Sequence, residues 1–178
     1  MRHLRVSETF ILAGLVPDDL KESIVEAVES VAESVFFENG KSLKGEVSGV
    51  DYAIASSLEN QGWTLKRNFR PFQDNLFEVD LAFEDKKLLI EIEKGKLPRS
   101  ELDIIKIASA CYQFPKQWRF GALIVPSSYI ELPLAGRQSP FDYLKRLMAV
   151  VQPIVAPMVE GFLVVGYMDP RLKHAPTE

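Results

Sequence analysis

Hydrophobic and polar residues alternate along two neighbouring segments near the middle of the chain, residues 77–83 and 88–94. Alternation with a period of two predicts a strand with one buried face. A short charged segment separates the two strands, so they are expected to form an antiparallel hairpin. Its turn consists either of residues 85–86 or of the four residues 84–87.

The polar face of this predicted hairpin is acidic. With either turn, antiparallel register sets Asp80 opposite Glu91 and Glu78 opposite Glu93. Like charges directly across a ladder destabilise a sheet. A concentration of carboxylates on one small patch therefore needs a physical reason, and a bound divalent cation is the obvious candidate.

Other segments have the periodicity of helices or of further strands. Residues 1–16 are compatible with a strand or a short helix. The third predicted helix has four residues on one side, namely Leu102, Ile105, Ala108 and Tyr112. Helices are predicted at residues 17–38, 50–61, 101–114 and 139–151, and strands at residues 63–69, 119–126 and 161–167.

The order of these elements predicts an α/β fold. The third strand of the series, residues 88–94, connects through a helix to the apolar run at residues 119–126. Such a connection is a crossover between parallel strands, whereas the hairpin is antiparallel, so the sheet is mixed. We therefore predict about five strands flanked by helices. No repeat or linker divides residues 1–178, which favours a single domain.

Composition narrows the classes of function. The formal net charge of −4 argues weakly against a protein that coats nucleic acid, although a nuclease's own carboxylates lower its net charge. No apolar run is long enough to cross a membrane. The single cysteine, Cys111, cannot form an internal disulfide and fits a reducing cytoplasm. One cysteine with the distant His3 and His174 does not make a usual zinc site.

The acidic hairpin carries a recognisable spacing. Asp80 stands on its first strand, and Glu91, Ile92 and Glu93 follow on its second strand, with ten residues between Asp80 and Glu91. Over about residues 46–126 the chain resembles the PD-(D/E)XK nuclease superfamily, whose core has this order of elements. The lysine of the superfamily motif is replaced by Glu93, and this departure resembles the BamHI/BglII branch of restriction endonucleases.

The resemblance implies a restriction-endonuclease-like core. It divides the chain into a core at residues 46–126, an N-terminal helical part at residues 17–38, and a C-terminal helix and strand at residues 139–168. The sequence from Asp103 to Lys106, on the helix after the hairpin, is also similar to the BamHI/BglII branch.

The resemblance also implies a site for Mg²⁺ or Mn²⁺. Asp80 and Glu91 would be its carboxylate ligands, and the backbone carbonyl of Ile92 would face the ion. The superfamily's acid on the helix before the sheet falls at Asp51, with Glu46 as a less favoured substitute. Mg²⁺ prefers such hard oxygen ligands.

Two further residues receive catalytic roles from the same resemblance. Glu93 would position or deprotonate the attacking water, because a carboxylate beside other carboxylates has a raised pKa. Lys106 would reach back from its helix to the scissile phosphate, and the alternative is a solvated lysine. Lys94 should point to the opposite face of the strand. Glu78 is expected to pair with Lys96.

These observations predict a Mg²⁺-dependent DNA endonuclease resembling type II restriction enzymes. A homodimer is expected because two-fold symmetry suits the cutting of two strands. No membrane partner and no organic cofactor are expected. One alternative is a catalytically inactive nuclease-fold domain that binds DNA or protein. Another is an unrelated α/β domain that binds a cation.

Overall fold

A mixed six-stranded sheet forms the centre of the molecule. The computed structural model describes residues 1–39, 41–43, 47, 49–72, 77–94, 100–127 and 139–171. The strands of the sheet lie in the order β1-β8-β7-β6-β5-β4. The strands are β1 Arg5–Gly14, β4 Leu65–Phe69, β5 Val79–Phe83, β6 Leu88–Ile92, β7 Phe120–Pro126 and β8 Gly161–Met168, and a separate ribbon pairs β2 Phe37–Glu38 with β3 Lys41–Ser42.

Within the described residues, four helices cover the two faces of the sheet: α1 Asp18–Glu29, α2 Gly49–Asn60, α3 Ser100–Gln113 and α4 Pro140–Val155. Buried side chains of α1 and α2 pack on one face, and those of α3 and α4 pack on the other. The α/β class and the mixed sheet are therefore confirmed. None of the helices within the described ranges is long and apolar enough to cross a membrane.

The sheet has one strand more than predicted, because residues 5–14 form the edge strand β1. Strand β1 pairs antiparallel with β8, and the pairing shifts register between Val6 and Glu8 and again between Ile11 and Ala13. Each irregularity interrupts the alternation of buried and exposed side chains. The sequence pattern was therefore compatible with either a strand or a helix.

The first helix is shorter than predicted. Helix α1 ends at Glu29, and a 3₁₀ turn at Glu33–Phe36 leads into the β2–β3 ribbon. Val31 is fully buried although it lies outside a helix, and its carbonyl accepts a hydrogen bond from the N–H of Leu4. The apolar residues of the irregular segment after α1 thus follow the same spacing as those of the helix, although they are not helical. The prediction of one helix across residues 17–38 was wrong at its C-terminal end.

The central hairpin has the longer of the two predicted turns, residues 84–87. In its register Leu81 pairs with Ile90 and Phe83 pairs with Leu88. The next position outward sets Asp80 opposite Glu91, as predicted. Strand β7 runs parallel to β6, which confirms the predicted crossover through α3.

Helix α3 packs on the sheet with a different side from the one that carries Leu102, Ile105 and Tyr112. These three residues are 44%, 53% and 66% exposed, whereas Ala108 is buried. Helix α3 has apolar residues on more than one side, so periodicity alone could not choose the buried face. The residues of α3 that do pack on the sheet are Ile104, Ile107, Ala108, Ala110 and Cys111.

Candidate active site

The candidate site lies where β5 begins and β6 ends. These strands are antiparallel, so Asp80 and Glu91 lie at the same edge of the sheet. Backbone pairing of β5 with β6 stops at Leu81 and Ile90, and the N–H of Ile92 donates to Asp80 Oδ2 at 2.8 Å. A strand residue's N–H and C=O point to the same side. The carbonyl of Ile92 therefore lies on the side of Asp80.

Lys106 joins this site from α3. Its Nζ contacts Glu91 Oε1 and lies 3.1 Å from Asp103 Oδ1. It also donates to the backbone carbonyl of Glu78 at 2.6 Å. The side chains of Lys106 and Glu91 are only 9% and 8% exposed. The ammonium thus has three protein oxygens around it, which matches its three hydrogens.

Burial dominates the electrostatics of Glu91. Loss of water and the nearby charge of Asp80 raise the pKa of Glu91 to about 9, although Lys106 opposes the shift. Burial also disfavours the charge of Lys106, but Glu91 and Asp103 outweigh it and raise the pKa of Lys106. At neutral pH the metal-free site therefore combines a charged Lys106 with a predominantly protonated Glu91.

The sequence analysis assigns no role to Asp103, but this residue is 8% exposed and its carboxylate contacts Lys106 directly. The signal that could have revealed it is the spacing of three residues between the two, because residues three apart share a helix face. The contact also explains why Lys106 stays on the sheet side of α3. Asp103 is therefore part of the site's charge balance.

Asp51 lies in a different cluster. Its Oδ2 contacts Nζ of Lys94, and α2, which carries Asp51, packs on the sheet face opposite to α3. Lys94 thus points away from the Glu91 side, as the alternation of the strand predicts. The structure does not bring Asp51 into contact with Asp80 or Glu91. Glu46, its suggested substitute, lies outside the described residues.

Glu93 follows directly after β6. Its N–H donates to the carbonyl of Ile124 at 2.8 Å, which continues the pairing of β6 with β7. Side chains alternate along a strand, so continuation of β6 to this residue predicts a Glu93 side chain on the same face as that of Glu91. Its carbonyl accepts a hydrogen bond from the hydroxyl of Tyr167 at 3.1 Å.

A basic cluster on β4 and just after it consists of Lys66, Arg67 and Arg70. Arg70 Nε donates to Glu78 Oε1 at 2.8 Å, whereas Lys96, the expected partner of Glu78, lies outside the described residues. Lys66 contacts Glu84 and Arg67 contacts Glu59. The three cations of this basic cluster therefore each have a carboxylate partner.

The oxygen atoms at the candidate site suit a hard cation. No group of three or more His, Cys, Asp or Glu side chains arranged to hold a metal occurs among the described residues. Mg²⁺, however, is commonly held by one or two carboxylates together with water and substrate phosphate. Asp80, Glu91 and the Ile92 carbonyl match that type of donor set, which manganese also accepts. These are the residues that fit Mg²⁺ or Mn²⁺.

A scan against protein-family models finds no family that matches the chain, and a search of curated proteins finds no match.

Proposed function

We propose that the protein is a metal-dependent endonuclease that hydrolyses DNA phosphodiester bonds in the manner of a type II restriction enzyme. The observation that carries the proposal is the meeting of Asp80, Glu91 and the Ile92 carbonyl at one end of the β5–β6 hairpin. The strand order also supports it. Three antiparallel strands, β4, β5 and β6, precede a helical crossover to the parallel strand β7.

Each residue has a distinct task in this proposal. Asp80, Glu91 and the Ile92 carbonyl would hold Mg²⁺ or Mn²⁺, which when bound supplies Lewis acidity and lowers the pKa of coordinated water. Glu93 would accept a proton from the attacking water, in place of the usual lysine. Lys106 is already surrounded by protein oxygens, so we assign it the task of orienting Glu91 rather than contacting the phosphate.

A homodimer is part of the proposal, and the exposed side of α3 supports it. Leu102, Ile105 and Tyr112 form an apolar stripe at helical spacing that is exposed in the single chain. Apolar stripes of this kind are typical of interaction surfaces. Ile105→Ser should shift a dimer to monomers in light scattering after size exclusion, whereas Val150→Ser, at an exposed site on α4, serves as the matched control.

A second candidate is a nuclease-fold domain that binds DNA or protein without cutting. The observation that favours it is the arrangement of Lys106, whose ammonium already contacts Glu91, Asp103 and the carbonyl of Glu78. These three oxygens match the three hydrogens of the ammonium, so Lys106 has its full set of acceptors without a metal ion or a phosphate. The acidic residue at position 93, in place of the motif lysine, points in the same direction.

Cleavage of DNA distinguishes the two candidates. Plasmid and linear DNA of varied sequence are incubated with the protein and Mg²⁺ or Mn²⁺, alongside Asp80→Ala and Glu91→Ala. Glu84→Gln is the matched control, because Glu84 lies in the turn at the other end of the same hairpin. We expect metal-dependent cutting by the wild type and the control only. Discrete fragments would show that the cutting is sequence-specific.

Calorimetry with Mn²⁺ tests the ligands separately from activity. Asp80→Ala and Glu91→Ala should each weaken binding, whereas Glu84→Gln should leave it unchanged. Binding without cutting would favour the inactive module. Absence of Mn²⁺ binding by the wild type would refute the assignment of Asp80 and Glu91 as metal ligands.

A further inference from the structure

Glu93 has both of its backbone polar groups tied to other strands, although it lies beyond the last residue of β6. Its N–H donates to the carbonyl of Ile124 on β7, at 2.8 Å. Its carbonyl accepts a hydrogen bond from the hydroxyl of Tyr167 on β8, at 3.1 Å. Tyr167 is completely buried, so its ring has little freedom to move.

The residue after Glu93 is anchored as well. The side chain of Lys94 is 9% exposed, and its Nζ contacts Asp51 Oδ2 in the first turn of α2. Removing one partner from such a buried pair leaves a charge without compensation. The contact therefore holds the first turn of α2 against the end of β6.

We infer that Tyr167 and the Asp51–Lys94 pair position Glu93 for its reaction. The inference rests on the proposed function, in which Glu93 accepts the proton of the attacking water. Tyr167 fixes the carbonyl of Glu93, Lys94 fixes the next residue, and Ile124 fixes the N–H. Together these contacts fix the backbone on both sides of the Glu93 Cα, and the alternation of the strand predicts that its side chain then points to the Glu91 face. Tyr167, Asp51 and Lys94 are thus positioning residues, and Asp51 acts through Lys94 rather than as a metal ligand.

The expected loss of activity in Tyr167→Phe follows from how sensitive catalysis is to the position of a reacting group. A shift of about 1 Å in a reacting group can lower the rate by about 100-fold. Loss of the Tyr167 hydroxyl should therefore lower kcat by about 10-fold to 100-fold, since the other two contacts to this segment remain. KM and Mn²⁺ affinity should stay within about two-fold, because neither depends on Glu93 in this scheme.

The experiment compares Tyr167→Phe with Tyr143→Phe. The control removes the phenol hydroxyl of a half-buried tyrosine on α4. Circular dichroism first establishes that both variants are folded at the assay temperature. Amide hydrogen exchange at Glu93, Mn²⁺ calorimetry and steady-state cleavage of a DNA duplex are then measured. We expect faster exchange at Glu93 and lower kcat in Tyr167→Phe only.

Asp51→Asn gives a second test that does not alter the core ring. If Asp51 serves as an anchor for Lys94, Asp51→Asn should lower kcat and leave the Mn²⁺ affinity unchanged. If Asp51 were instead a metal ligand, Asp51→Asn would weaken Mn²⁺ binding in the absence of DNA. Weaker Mn²⁺ binding in Asp51→Asn would therefore overturn the assignment of Asp51.

The remaining outcomes also decide the inference. Unchanged exchange at Glu93 in Tyr167→Phe would show that the hydroxyl does not hold this segment. Faster exchange at Glu93 with an unchanged kcat would show that catalysis does not require the hydroxyl to hold the segment around Glu93. If the wild type does not cut DNA, the proposed function fails together with the positioning role. Amide hydrogen exchange at Glu93 would then still show whether the Tyr167 hydroxyl stabilises the backbone around Glu93.

Discussion

Replacement of Glu91 by glutamine should stabilise the metal-free protein near neutral pH. The side chain of Glu91 is 8% exposed, and burial together with Asp80 raises its pKa from 4.5 to about 9. Between these two values the folded protein holds a proton that the unfolded chain has released. Stability due to Glu91 is therefore fully present below pH 4.5 and is lost as pH rises towards 9.

The size of the effect follows from this proton linkage. Each pH unit between the two pKa values changes the free energy of unfolding by about 1.4 kcal/mol per linked proton. From about pH 5.5 to about pH 7.5 the wild type should therefore lose about 3 kcal/mol more than Glu91→Gln. Glutamine keeps the shape of the side chain and can still accept a hydrogen bond from Lys106, but it does not ionise.

The assay is urea unfolding in the presence of a chelator at several pH values within this range. Other titrating groups cancel in the difference between wild type and Glu91→Gln, because they are common to both proteins. Glu84→Gln is the control, since Glu84 is exposed and its hydrogen bond with Lys66 lowers its pKa instead. Parallel pH profiles for wild type and Glu91→Gln would refute a protonated Glu91 in the folded protein.

Three further predictions concern stability and reactivity. Lys106→Met should destabilise the protein by about 3 kcal/mol in urea unfolding, because it leaves the buried Asp103 without its cation and removes the contact with Glu91. Lys145→Met, which removes an exposed ion pair, should cost less than about 1 kcal/mol. Gly14→Ala should cost at least about 2 kcal/mol, because a Cβ there would lie 2.0 Å from a backbone oxygen. Gly62→Ala, with positive φ but open space around it, should cost about 1 kcal/mol, and equal losses for the two glycines would contradict this reasoning. Burial raises the pKa of Cys111 to about 12, so a thiol reagent at pH 8 should react only after unfolding.

The central hairpin could be predicted because its signal is local. Alternation along residues 79–83 and 88–92 defines both strands, and the length of the turn then sets the register. Asp80 and Glu91 face each other for that reason alone. The same local logic located α2 and the buried strand β7.

Other features depend on which surfaces meet. Helix α3 has apolar residues on more than one side, and only its packing on the sheet decides that Ile107 is buried while Ile105 is exposed. Strand β1 has an irregular register and is recognisable mainly through its pairing with β8. The first helix was overextended because Val31 is buried in an irregular segment.

The sequence by itself determined the α/β class, the hairpin register and the pair of acids that face each other across it. These features follow from periodicity and covalent spacing along short stretches of chain. Only the tertiary structure joined Asp103 and Lys106 to Glu91, and Tyr167 and Asp51 to the segment around Glu93. The last two contacts span 74 and 43 residues of chain. Partners so distant in sequence meet only when the helices and strands pack, because no local pattern encodes which surfaces will be in contact.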